Sequence, residues 1–206
     1  MNSREIILET VKRNQPRVAA LPEVPLFDPH LPDPWRQFGE NLQRMGGTLV
    51  EPSPDDGLAS VIKALHPDAK IIASATPEIE GTKQLEGVGA PRNLSDVDVG
   101  VVRAAFGVAE TGSVFLSDVD LGIRALGYLS QHLVVLLDPA EVVGNLHQAY
   151  HRPEFATASY AVLMTGPSAT ADIEGVLIHG AQGVRTLSVV ARPVAVASQQ
   201  AATNSQ

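Results

Sequence analysis

An unbroken apolar run, HLVVLL from His132 to Leu137, is the feature that most constrains the fold of this chain. A strand that is apolar on both faces has to be covered on both sides, as strands in parallel sheets are. Further strands are predicted at residues 48–50, 70–74, 159–165 and 187–190, and helical segments alternate with them. This alternation predicts one α/β domain with a mostly parallel sheet flanked by helices.

Four amphipathic segments are predicted as the main helices. Ser3–Arg13 has apolar residues at helical spacing, and a second helix runs from Pro34, which suits a first helical turn, to Met45. Trp35 in this second helix is predicted to anchor the core. The other two helices are predicted at residues 55–65 and 139–151.

The segments outside the α/β body are predicted from composition. Six prolines between residues 16 and 34 indicate an extended arm, so residues 1–46 form an N-terminal part that packs on the domain. The α/β domain itself is expected at residues 47–193, and the small and polar residues 194–206 as a disordered tail. Residues 75–96 show no periodicity, which indicates a lid or binding loop, or elements that the pattern hides.

Charge and hydropathy exclude several classes of partner. The chain has 23 acidic and 15 basic residues, a net charge of −8, and no basic block. Nucleic acid and anionic membranes are therefore poor partners. No apolar run approaches the roughly 20 residues of a membrane span. We expect a cytoplasmic protein that binds neither nucleic acid nor membrane.

The chain contains no cysteine. It therefore holds no disulfide, no thiolate nucleophile and no cysteine-ligated iron–sulfur cluster. We predict no cofactor in this chain, and any such cluster would belong to a partner protein.

A first candidate site is the run GPSATADIE, residues 166–174, which follows the predicted strand 159–165. The run is predicted as a turn into a helix, at the carboxyl edge of the sheet, where parallel sheets bind ligands. Its glycine permits a sharp turn, and its hydroxyl groups can cap the helix or help to bind an anion. A simple helix cap is the alternative. The candidate ligand-binding residues here are Gly166, Pro167, Ser168, Thr170 and Asp172.

A second candidate site is the turn that contains Glu110, Thr111, Gly112 and Ser113, between two apolar segments. The glycine lets a backbone N–H group approach a ligand, and the carboxylate could act as base or nucleophile. Alternatively, Glu110 is a solvated turn residue. The turn is predicted to join a local antiparallel hairpin and to meet the first site in one pocket.

Other residues are weaker candidates. A turn that contains Gly180 and Gly183 could close the same pocket or be only a loop. One of three arginines, Arg92, Arg103 and Arg124, could face a carboxylate or phosphate ligand, although a surface ion pair is the usual role of an arginine. His147 and His151 have a chelating spacing, but Gln148 follows His147 where zinc proteases have a glutamate, so we predict no metal site.

The two candidate motifs, together with residues 180–187, resemble the LUD domain family from about Gly100 to Val190. The resemblance implies a fold similar to glucosamine-phosphate isomerases, ribose-phosphate isomerases and CoA transferases. It also implies a three-protein system that oxidises L-lactate to pyruvate, in which iron–sulfur partner proteins carry the cysteines. Where the family commonly has His-Gly-Pro, this chain has Gln182-Gly183-Val184. A histidine acid or base at that position is therefore missing.

Three function classes follow from the resemblance. The chain could be a component of the lactate-oxidising complex that binds a small carboxylate, another anion such as phosphate, or a partner. It could instead be an enzyme in its own right, with Glu110 as base or nucleophile, as a glutamate is in similar CoA transferases. It could also be a structural assembly factor. The missing cysteines and the missing histidine favour the first class.

Overall fold

The computed structural model describes residues 2–15, 22–27, 31–171, 175–179 and 182–194. The helices are α1 Ser3–Arg13, α2 Pro34–Arg44, α3 Leu58–Leu65, α4 Asp118–Leu121, α5 Leu126–Leu129, α6 Leu146–Tyr150 and α7 Pro153–Thr157. Short 3₁₀ turns lie at Pro91–Leu94 and Pro139–Glu141. The strands are β1 Thr48–Val50, β2 Ile72–Ser74, β3 Val99–Arg103, β4 Phe106–Val108, β5 Ser113–Ser117, β6 His132–Leu137, β7 Val142–Val143, β8 Ala161–Met164, β9 Ala169–Thr170, β10 Ile178–His179 and β11 Thr186–Ala191.

The central sheet has five parallel strands in the order β1-β11-β6-β3-β2. Strand β6 lies in the middle, and its residues alternate between two apolar layers. Val134 and Leu136 pack with α3, whereas Leu133, Val135 and Leu137 pack in the layer that includes α2, α4 and α5. The predicted α/β fold with a mostly parallel sheet flanked by helices is confirmed, because the apolar run of β6 is covered on both faces.

A second sheet has the strand order β7-β4-β5-β8. Strands β4 and β5 form the predicted antiparallel hairpin, and the rings of Phe106 and Phe115 stack across it with centroids 4.6 Å apart. Strand β8 pairs antiparallel with β5 and lies at the edge of this sheet. The prediction that residues 159–165 belong to the parallel sheet is therefore wrong.

The predicted helix over residues 139–151 is also wrong. A 3₁₀ turn at Pro139–Glu141 leads into β7, which pairs with β4, and only the short helix α6 follows. Asn145 starts α6, because its side chain accepts a hydrogen bond from the backbone N–H of Gln148. The pairing of Val142 and Val143 with β4 outweighs the helical spacing of the apolar residues.

The two N-terminal helices were predicted from the sequence, and they differ in burial. Helix α1 has a capping box between Asn2 and Glu5, and all of its residues are exposed. Helix α2 buries Phe38 and Leu42. As predicted, Trp35 of α2 contacts the core, with its ring stacked on Phe38 at 5.6 Å. None of the described helices combines the length and the apolar character needed to cross a membrane.

Candidate functional site

The hairpin turn between β4 and β5 meets the segment that follows β8. In the pairing of these strands, Val114 lies opposite Met164. One residue beyond this pair, the hydroxyl of Ser113 is hydrogen-bonded to the hydroxyl of Thr165, and it lies 2.7 Å from the hydroxyl of Thr111. The structure thus brings the two predicted turns together and joins them through three hydroxyl groups.

Glu110 lies in the hairpin turn, and it is exposed. Its carboxylate Oε2 accepts a hydrogen bond from the backbone N–H of Leu146, the first residue of α6, at 3.1 Å. Its backbone N–H donates to the carbonyl of Gly144, and its carbonyl accepts from Nδ2 of Asn41, both at 3.0 Å. A carboxylate at the start of a helix satisfies a free N–H group there. Glu110 therefore holds α2 and α6 against the hairpin.

The glycines of the two turns lie against the end of α2. Gly112 and Gly166 have φ angles of 67° and 65°, in the left-handed region that favours glycine. A Cβ atom on Gly112 would lie 2.2 Å from the backbone N of Leu42, and one on Gly166 would lie 2.1 Å from the carbonyl O of Met45. The close approach that we predicted for a ligand at Gly112 is made by the backbone at the end of α2, which also contacts Gly166.

The described part of the run 166–174 does not begin a helix, in contrast to the prediction. Ala169–Thr170 forms β9, which pairs antiparallel with β10 at Ile178–His179. The backbone N–H of Ser168 donates to the carbonyl of Val184 at 3.0 Å, and this contact directs the chain into the hairpin. Pro167 is buried before it. Asp172 lies outside the described residues.

The predicted turn that contains Gly183 contacts the run 166–174. A Cβ atom on Gly183 would lie 3.0 Å from Cβ of Ser168, so Gly183 packs directly against the side chain of Ser168. The other glycine of this turn, Gly180, lies outside the described residues. The hydroxyl cluster of Thr111, Ser113 and Thr165 therefore lies close to the end of α2, and Ser168 follows Thr165 by three residues in the chain.

A separate cleft of about 830 Å³ lies at the carboxyl edge of the parallel sheet. It is lined by residues that end or follow β2, β3 and β11, and by the start of α4. Ligands of open parallel sheets bind at this edge, and the volume is typical of small-molecule sites. The lining residues are Pro54, Ala75, Thr76, Pro77, Glu78, Arg103, Val119, Asp120, Arg192, Pro193 and Val194.

Arg103, the last residue of β3, lines this cleft, and all three nitrogens of its guanidinium group donate hydrogen bonds. Its Nη2 donates to Oε2 of Glu78 at 2.7 Å, and its Nε donates to Oε1 of the same carboxylate. Its Nη1 donates to the carbonyl of Arg192 at 3.0 Å. Burial opposes ionisation of Glu78, but the hydrogen bonds and charge of Arg103 outweigh it and hold the pKa of Glu78 below its usual range. Arg103 and Glu78 thus form a fixed bidentate pair.

Arg192 directly follows β11 and presents a second guanidinium group to the cleft. Its side chain is 37% exposed, compared with 23% for Arg103. Within the described part of the chain this guanidinium makes no hydrogen bond, and its Nε lies 3.9 Å from Oε2 of Glu78. Asp120 also lines the cleft, but its Oδ2 accepts two hydrogen bonds from the backbone and hydroxyl of Ser117. Arg192 is therefore the cation of the cleft that can pair with a bound anion.

From the sequence we named Arg103 but missed Arg192 and Glu78. Arg103 ends β3, a strand that the sequence pattern did not predict, and Arg192 follows the predicted strand 187–190 after one residue. An arginine at the end of an apolar run is the signal that could have identified both. Of the other two arginines, Arg92 lies in an exposed 3₁₀ turn, and the guanidinium of Arg124 lies 4.5 Å from the ring centroid of Tyr160.

His66, His132, His147 and His151 lie away from this cleft. His147 packs on the ring of Phe27 at 4.6 Å, and His151 ends α6. At the amino edge of the sheet, the rings of His66 and His132 stack at 4.2 Å. Burial lowers the pKa of both, and the charges of His132 and Arg185 add to the effect on His66 and His132 respectively. In the described ranges, no three His, Asp or Glu side chains are grouped to hold a metal ion.

Comparisons with known proteins identify the family of this chain and agree with its fold. The family model of the LUD domain matches residues 3–191. An uncharacterized protein from Neisseria meningitidis serogroup B is 30% identical over 101 residues, which are 48% of this chain and 43% of that protein. This chain thus matches less than half the length of that relative. The crystal structure of a DUF162 family protein from Deinococcus radiodurans superposes with a TM-score of 0.57 at 17% identity, over 77% of this chain and 95% of the other.

Proposed function

This chain belongs to the LUD domain family, which is associated with lactate utilization, and on that premise we propose that it is the cysteine-free component of a multi-protein L-lactate-oxidising system. In this system L-lactate is oxidised to pyruvate, and the electrons pass to iron–sulfur clusters in partner proteins. This chain has no cysteine with which to bind such a cluster. Its contribution is to bind a small carboxylate ligand.

The observation that carries the proposal is the pair of arginines at the carboxyl edge of the parallel sheet. Glu78 shows that a carboxylate fits the fork of Arg103, and Arg192 presents a second fork to the same cleft. Guanidinium groups bind carboxylates through two parallel hydrogen bonds. L-Lactate and pyruvate both carry one carboxylate, so either can pair with Arg192.

An enzyme that acts on its own, with Glu110 as base or nucleophile, is less well supported. The residue is exposed, and one of its carboxylate oxygens already accepts the N–H group of Leu146. The glycine turn beside it is filled by the end of α2. A base or nucleophile needs a substrate within hydrogen-bond reach of its free oxygen. The hydroxyl groups of Thr111, Ser113, Ser168 and Thr170 stay candidates for contacts with a partner or an anion such as phosphate.

The proposal is tested by reconstitution with the iron–sulfur partner proteins. L-Lactate-dependent reduction of an artificial electron acceptor should require this chain, and Arg192→Gln should raise KM for L-lactate at least about tenfold, the usual scale of a lost charge-assisted hydrogen bond. Arg185→Gln is the matched control, because Arg185 and Arg192 flank opposite ends of β11.

The alternative functions give different results in the same assay. Oxidation of L-lactate by the isolated chain would indicate an enzyme in its own right. Activity that requires the chain but is unchanged by Arg192→Gln would indicate an assembly factor. Full activity without the chain would refute the proposal.

A further inference from the structure

The charges in the arginine cleft, defined by Glu78, Arg103, Asp120 and Arg192, point to the class of ligand that it accepts. We propose that the cleft selects monocarboxylates over dianions such as phosphate, and that Glu78 sets this selectivity. This inference rests on the proposed carboxylate-binding function of the same cleft, and it adds the charge and the general shape of the ligand.

The charges that line the cleft are balanced. Two guanidinium groups and two carboxylates line the cleft, so its formal charge is zero before a ligand binds. The low pKa of Glu78 keeps this carboxylate ionised at neutral pH. A ligand with one negative charge is attracted by Arg192, whose guanidinium lies 3.9 Å from Glu78. A second charge on the ligand would be repelled by Glu78 and Asp120 without a further cation to offset it.

The two arginines of the cleft differ in the use of their hydrogen-bond donors. All three nitrogens of Arg103 donate within the protein, two of them to Glu78 and one to the carbonyl of Arg192. Arg103 is thus a positioning residue, which fixes both Glu78 and the backbone of Arg192. Within the described residues the guanidinium of Arg192 makes no hydrogen bond, and its fork matches the two oxygens of one carboxylate.

The lining of the cleft also restricts the rest of the ligand. The remaining wall is mostly apolar, and Val119 on α4 is 83% exposed beside it. A neutral body with some apolar surface is compatible with this wall, whereas a second charged group is not. The cleft is larger than L-lactate requires, so the inferred class is monocarboxylates in general. The apolar lining residues are Pro54, Ala75, Pro77, Val119, Pro193 and Val194.

The test is calorimetric titration of the isolated full chain with three probes near pH 8. The probes are L-lactate as monoanion, and malonate and inorganic phosphate as dianions. The wild-type chain should bind L-lactate more tightly than either dianion. Arg192→Gln should weaken all three interactions, and Arg185→Gln should leave them unchanged.

Glu78→Gln is the variant that separates charge selectivity from general binding. Because Coulomb energy scales with the product of the charges, loss of one carboxylate should strengthen L-lactate binding about threefold and dianion binding about tenfold. Glu154→Gln is the matched control, since Glu154 is also paired with an arginine, Arg152, but lies outside this cleft. If Glu78→Gln fails to fold, Asp120→Asn tests the same charge effect and keeps an oxygen for Ser117.

Several outcomes would overturn the inference: no binding of any probe, tighter binding of a dianion by the wild type, or an equal effect of Glu78→Gln on all probes. These results differ from those that refute the proposed function. Selectivity for L-lactate in a chain that the reconstituted system does not require would leave the inference standing. If the reconstituted system requires the chain but the cleft shows no charge selectivity, the inference fails and the proposed function stands.

Discussion

Replacement of Gly112 by alanine tests the packing of the hairpin turn on α2. At its φ of 67°, an L-residue costs about 1–2 kcal/mol relative to glycine. The added Cβ would also lie 2.2 Å from the backbone N of Leu42, so the end of α2 would have to move. Overpacking of this kind costs about 1–3 kcal/mol. We expect Gly112→Ala to lower the free energy of unfolding by roughly 3 kcal/mol in total.

Gly87→Ala is the matched control for this substitution. Gly87 has a φ of 76°, but a Cβ atom there would meet nothing within 4 Å. Only the backbone cost of about 1–2 kcal/mol should remain. The difference between the two variants, about 1–3 kcal/mol, measures the contact with α2.

The assay is urea unfolding followed by two probes. Circular dichroism reports the whole fold, and fluorescence reports α2, because Trp35 in that helix is the only tryptophan of the chain. Equal losses of stability in Gly112→Ala and Gly87→Ala would refute the inferred contact with α2. If Gly112→Ala is as stable as the wild type but no longer binds a ligand, this result would support the predicted role of the turn in a binding site.

Two further predictions concern Glu110 and the histidines. Glu110→Gln keeps an oxygen for the N–H group of Leu146, so its free energy of unfolding should lie within about 0.5 kcal/mol of the wild-type value. Glu110→Ala should lower the free energy of unfolding by about 1 kcal/mol. A loss of at least about a hundredfold in lactate-dependent reduction by Glu110→Gln would instead establish Glu110 as a base or nucleophile. The lowered pKa values of His66 and His132 mean that the unfolded chain binds more protons than the folded protein below the ordinary histidine pKa of 6.5. The free energy of unfolding should therefore be highest above this pKa and fall as the pH drops through it, and His66→Asn should reduce this fall in urea unfolding at several pH values. A free energy of unfolding that does not change with pH, or a His66→Asn variant with the same pH dependence as the wild type, would contradict this prediction.

Four strands of the central sheet could be predicted because their signal is local, whereas β3 was not predicted. The run His132–Leu137 needs only its own composition to indicate a strand covered on both faces. The helix predicted over residues 139–151 failed because the partner of β7 lies in β4, more than thirty residues earlier in the chain. A pairing between distant strands leaves no trace in the periodicity of one segment. Strand β9 was missed for a different reason, because its two residues, Ala169–Thr170, are too few to show an alternating pattern.

The candidate site was also only partly predictable from the sequence. The hydroxyl groups of Thr111 and Ser113 and the glycines were recognised, because turn residues have a local signature. The use of Gly112 and Gly166 could not be predicted, since it depends on where α2 packs. Arg192 was missed because a single arginine after a strand is common, and only the sheet order brings it beside Arg103 and Glu78.

The position of β1 has a consequence for synthesis on the ribosome. Among the described strands β1 pairs only with β11, and Thr48 lies opposite Ser188. Because the N-terminal strand emerges first, it has to wait without a partner until nearly the whole domain has been translated. Strand β11 then brings Arg192 to Arg103 in the same step that completes the sheet. Nascent chains that stop before residue 186 should therefore lack both a docked β1 and an anion-binding cleft.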